Sequence, residues 1–103
     1  MDMTEVRRFD QAQVGTIKLS KAIRIGAKKH PHSTFGVLMG GGRTCALGAA
    51  AVGRGWNGNQ SMDVRGVYLP DVRDQIWHEI SAMNDYARYT REQIAAWLEA
   101  QGL

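Results

Sequence analysis

The chain has little cysteine and little proline: Cys45 is alone, and Pro31 and Pro70 are the only prolines in 103 residues. A lone thiol excludes an intrachain disulfide and agrees with a reducing cytoplasm. Apolar runs are short as well. The longest, FGVLM at 35–39 and CALGAAAVG at 45–53, fall far below the roughly 20 residues that a membrane-spanning helix requires. The opening MDMTEVRRFDQAQVG mixes Asp2, Glu5 and Asp10 with Arg7 and Arg8 and has no apolar signal-peptide core, so nothing in it points to export. A cytoplasmic protein without membrane contact is expected.

What is present describes a folding chain. Hydrophobic residues make up 44% and charged residues 22%, which argues against disorder over most of the length. A chain this short holds one hydrophobic core and no second domain. The net charge of +3 is unevenly spread. Residues 1–52 hold eight Lys/Arg against three Asp/Glu, and residues 53–103 hold five against seven. A basic half attracts phosphate backbones or acidic proteins without distinguishing them.

Residues 1–15 show no clear period and read as a mobile arm, followed by one helical domain over 16–103. Leu19, Ala22, Ile23, Gly26 and Ala27 recur at helical spacing after Ser20, a good N-cap, and Pro31 closes that first helix beyond Lys29. FGVLM suits a short strand, with Gly66–Leu69 as its pairing candidate. Thr44 reads as the N-cap of a second helix ending at Gly53. Arg54–Arg65 reads as a surface loop. A third helix starts at Pro70 or Asp71 and carries Val72, Ile76, Ile80 and Met83 on one stripe, ending at Asn84-Asp85. A fourth starts at Thr90, where Thr90 and Gln93 have capping-box spacing, and continues through Ile94, Trp97 and Leu98. The fold expected is mainly α: about four short helices around one core, with room for a two-stranded ribbon. The expected core is Leu19, Ile23, Val37, Leu38, Leu47, Val52, Ile76, Ile80, Ile94, Trp97 and Leu98.

Chemistry-bearing motifs are few. The octet Val37–Thr44 places Val37 and Arg43 where a nucleotide P-loop needs glycine and lysine, so Gly40–Gly42 read as a tight turn. Glycines before a helix N-terminus, with Arg43 beside them, leave an anion or nucleotide binder at Gly40–Thr44 as one alternative. Cys45 opens an apolar stretch, which favours a buried structural thiol over a tuned nucleophile. His30, His32 and His78 lack metal-ligand spacing, and no metal or cofactor is expected. His78, Glu79 and Asp85 are the acid–base candidates, but no nucleophile stands at a recognisable spacing, so no catalytic residue is assigned. The fourth helix exposes too many acidic residues to lie against phosphates as a recognition helix. Lys18, Lys21, Arg24, Lys28 and Lys29 on the first helix, with Arg43, are the better phosphate or nucleic-acid candidates.

Three blocks, LSKAIRIGA at 19–27, CALGAA at 45–50 and NDYARYTREQIAAWL at 84–98, resemble a group of small phage, prophage and actinobacterial proteins with a CxLGA segment and a later Asn-Asp, Arg, Thr, Glu series. The resemblance implies a shared fold and a mobile-element origin, and it carries no catalytic or binding roles. By analogy with small phage proteins, the leading expectation is a non-enzymatic regulator or inhibitor of a larger protein partner in a host cytoplasm, with Trp56, Trp77, Tyr86 and Tyr89 as contact anchors. A nucleic-acid-binding accessory protein is the alternative. Self-association into a dimer or higher oligomer stays open.

Overall fold

The computed structural model describes residues 17–103, so the predicted arm over 1–15 lies outside the described residues. The fold is mainly helical with one small antiparallel ribbon. In chain order the elements are α1 (Leu19–Lys29), β1 (Met39–Gly40), β2 (Arg43–Thr44), α2 (Ala46–Gly53), α3 (Val64–Tyr68), α4 (Asp74–Asp85) and α5 (Arg91–Glu99).

At the centre stands α2. Every residue from Ala46 to Val52 is buried, as expected of a helix that is apolar on all sides. Its small residues let neighbouring backbones come very close. A Cβ on Gly26 of α1 would collide with the Ala49 carbonyl, and one on Gly53 would meet the Ala22 carbonyl. The α1–α2 contact is therefore backbone against backbone, sealed by Leu19, Ala22 and Ile23. α5 adds Ile94, Ala95 and Leu98 to the same core, and α4 adds Ile80.

The boundaries of several elements differ from the sequence reading, each for a local reason. α1 begins at Leu19 with Lys18 at the cap position, and Ser20 lies buried in the first turn, where its hydroxyl donates to the Leu103 carbonyl at 3.1 Å. The N-cap of α2 is Cys45, whose Sγ accepts from Gly48 N at 3.3 Å, because Thr44 is held in β2. That helix runs through Gly53 to Arg54 at its C-cap. α4 begins at Asp74, later than Pro70 or Asp71, since Leu69–Val72 forms a turn and Asp71 turns toward Arg54. α5 agrees with the sequence reading: Thr90 is its N-cap, and both capping-box hydrogen bonds with Gln93 are formed.

The ribbon is not the predicted one. Met39 pairs with Thr44 and Gly40 with Arg43, so the strands are joined by Gly41-Gly42 at φ of 59° and 75°. Two consecutive positive φ values are what a two-residue hairpin turn requires, which is why glycines stand there. Gly66–Leu69, the expected pairing partner, forms the later part of α3 and its C-cap instead. Asp63 caps that helix by accepting from Gly66 N at 2.9 Å. Within the expected core, Val37 is half exposed, and Leu38, Ile76 and Trp97 are only partly buried. Trp56, expected on the loop surface, is 3% exposed and donates its indole N–H to the Asn59 carbonyl at 2.9 Å.

Candidate functional site: an exposed aromatic face

Two loops meet at the C-terminal end of α4. The residues that join them are Asn84 and Asp85, the last of that helix. Asn84 is buried. Its Oδ1 accepts from Ala46 N at 3.0 Å, taking up a free amide at the start of α2, and its Nδ2 donates to the Thr34 carbonyl at 3.1 Å. Asp85 Oδ1 accepts from Asn84 Nδ2 at 2.8 Å and from Gly36 N at 3.0 Å. The Asn-Asp pair thus anchors the loop 33–38 onto α4, a wider role than ending the helix.

On that anchored base the loop turns apolar side chains outward. Phe35 is 41% exposed and Val37 51%, and the link after α4 presents Tyr86 at 87% and Tyr89 at 49%. Arg88 ties the two loops together: its guanidinium lies over the Phe35 ring at 3.9 Å, and its Nε donates to the Asp85 carbonyl at 3.0 Å. Arg88 adopts a φ of 57°, an uncommon conformation for a residue with a Cβ, so the loop holds it there at some cost in strain. Beside this patch a groove of about 310 Å³ is walled by Val37, Leu38, Trp77, Ser81 and Asp85. Trp77 itself is half-buried beneath the Arg65 guanidinium, 4.4 Å from the ring centre.

Of the four expected anchors, the structure leaves Tyr86 and Tyr89 exposed in the link after α4, places Trp77 at the adjoining groove and removes Trp56 to the core. Phe35, Val37 and Arg88 are additions to the expected set. FGVLM reads as a strand because its residues are apolar, and no sequence signal marks an arginine at positive φ.

No family model, curated protein or solved structure matches the chain.

The other sequence candidates are dispersed. Lys18, Lys21, Lys28 and Lys29 project from α1, exposed and without a carboxylate partner among the described residues. Arg24 differs: its guanidinium is held by Glu92 at 2.9 Å and Glu99 at 2.7 Å, which raises its pKa further and lowers that of Glu92 through the shared hydrogen bonds. The basic stripe is thus interrupted at its middle. Arg43 is exposed on the hairpin, whose Gly42 carbonyl lies 3.0 Å from His30 Nδ1 at the C-terminal end of α1. The amides an anion would need at the start of α2 are already engaged, Ala46 N by Asn84 and Gly48 N by Cys45.

Cys45 is buried, and desolvation pushes its thiol pKa up, the reverse of what a nucleophile needs. It shares the 310 Å³ groove wall with Asp85, but His78 does not line that groove. Asp85 spends Oδ1 on Gly36 and Asn84. Among the described residues no three His, Cys, Asp or Glu side chains are grouped to hold a metal ion, and no helix is long and apolar enough to cross a membrane.

Proposed function

We propose that the protein is a non-enzymatic binding module that docks a larger protein partner through the face formed by Phe35, Val37, Tyr86, Arg88 and Tyr89. The observation that carries this reading is the 87% exposure of Tyr86 beside three other exposed apolar side chains on two cross-braced loops. Tyrosine and arginine are enriched among residues that dominate binding energy, and aromatic rings held in place lose little entropy on docking. The adjoining groove, with Trp77 in its wall, supplies a depression that one side chain of the partner fills. The resemblance of residues 19–27, 45–50 and 84–98 to phage and prophage proteins makes a host or viral protein in the cytoplasm the proposed partner.

Nucleic-acid binding through Lys18, Lys21, Lys28 and Lys29 is the second reading, supported by the exposure of those four lysines. Salt separates the two. Affinity capture from host lysate, washed at rising salt, is expected to retain the same protein partner throughout. A polyanion would be lost, with log affinity falling by about 0.9 per log unit of salt for each phosphate contacted. Capture of nucleic acid alone, released in that manner, would contradict the protein-docking reading.

A further inference from the structure

A second depression, about 640 Å³ in volume, lies between the later half of α1 and the start of α5, with Arg24, Lys28, Pro31, Ser33, Thr90 and Arg91 in its wall. Its floor holds an unusual group. Arg91 is 7% exposed, and its guanidinium is bound only by neutral oxygens: Nη1 donates to the His30 carbonyl at 2.5 Å and to Thr44 Oγ1 at 2.9 Å, and Nη2 donates to the Pro31 carbonyl at 2.5 Å. No carboxylate among the described residues lies within ion-pair distance of it. Three bonds leave two of the five guanidinium N–H donors, Nε–H and one on Nη2, without a partner within the described residues. Nε is not sealed from solvent, in contrast to Arg54 Nε, which is buried and unpartnered.

A buried cation without a counter-charge is costly, and buried charges are ordinarily paired. The rest of the groove does not supply the missing anion. Its only carboxylate, on Glu92, is already held by Arg24. Lys28 adds a second cation without a carboxylate partner among the described residues, and the Thr90 hydroxyl, which accepts from Gln93 N, keeps its own proton to donate. Within the described residues the groove therefore presents two positive charges without a carboxylate partner, the unpartnered Nε–H of Arg91 and a hydroxyl.

We infer that this groove binds the phosphate group of a small phosphomonoester. The charge carries the choice: a phosphomonoester bears about −1.5 to −2 at neutral pH, matching two free cations, whereas a carboxylate matches one. Arg91 presents its free donors to the phosphate oxygens, Lys28 supplies the second charge and Thr90 a hydrogen bond. A continuous nucleic-acid backbone fits less well, because Arg24, the next cation along α1, is already engaged by Glu92 and Glu99 and is not available to neighbouring phosphodiesters. This inference stands apart from the aromatic face, which shares none of these residues.

The test is a backbone-amide NMR titration of the full chain with inorganic phosphate, phenyl phosphate and a single-stranded oligonucleotide. Saturable shifts confined to residues 28–34 and 90–92 are expected with both small phosphates, stronger above the second phosphate ionisation near pH 6. Lys28→Ala is expected to weaken phenyl phosphate about tenfold, the loss of one charge-assisted contact, and Lys21→Ala to leave it unchanged. Arg91→Lys, which keeps the charge but loses the fork, is expected to weaken binding if it folds; Lys28→Ala decides the matter if it does not. No saturable shift at millimolar phosphate, equal binding by Lys28→Ala, or tighter binding of the oligonucleotide than of phenyl phosphate would each overturn the inference.

Discussion

Asn84 shows how much one side chain can organise. Its amide bridges the α2 amide of Ala46 and the loop carbonyl of Thr34, both in buried or part-buried surroundings. Asn84→Leu fills the same space but leaves two backbone groups unpaired, at about 1–3 kcal/mol for each group that stays desolvated. Chemical denaturation is expected to show a loss of about 2–6 kcal/mol for the two groups together, with added mobility in residues 33–38. Asp71 provides a pH signature. Partial desolvation pushes its carboxyl pKa up, but the hydrogen bonds and charge of Arg54 outweigh this and hold it below the ordinary value. A depressed pKa means stability that is fully present above the ordinary carboxylate range and lost as pH falls through the lowered value. Asp71→Asn is therefore expected to be less stable at neutral pH, with a shallower decline than the parent chain below about pH 4. A parallel acid limb in the two proteins would contradict the pairing.

Between elements, the α1–α2 contact sets the spacing of the fold. Gly26→Ala must push α1 off the Ala49 carbonyl, and overpacking of this kind costs about 1–3 kcal/mol or more. Since alanine is the better helix former, a substitution at an exposed site would stabilise instead, so the sign of the change in melting temperature tests the close approach. Arg88 tests the loops. Arg88→Gly relieves the positive φ and is expected to hold or raise stability while weakening partner binding, because Phe35 loses its brace. The helices that could be read from sequence were those with several turns of period: Leu19 to Gly26, Ile76 to Met83, and Ile94 to Leu98 behind the Thr90–Gln93 capping box. α3 escaped because five residues, one of them Gly66, show no period, and its formation rests on the Asp63 cap and on burial of Val64. The ribbon was misplaced because apolarity in FGVLM suggests a strand, whereas the glycine pair at 41–42 governs the pairing and leaves Phe35 and Val37 outside. Tyr86 and Tyr89 could be picked out by residue type, but their proximity to Phe35 depends on the Asp85–Gly36 hydrogen bond across 49 positions.

For the whole molecule, the structure separates a tightly packed interior from two differently equipped surfaces. The conspicuous small-residue segment 45–53 is internal scaffold, and its thiol is buried with it. On the outside, one face is aromatic and half-apolar, and another carries the lysines of α1. Docking is proposed for the aromatic face. Its most direct measurement is the affinity of the captured partner for three chains with matched melting temperatures: the parent, Phe35→Ala/Tyr86→Ala, and Lys21→Glu/Lys29→Glu. The expected result is a loss of about 100-fold or more for the aromatic pair, as truncation of two hot-spot residues gives, and a change of less than about tenfold for the lysine pair. Full affinity in the aromatic variant, with binding abolished by the lysine reversals, would contradict the account.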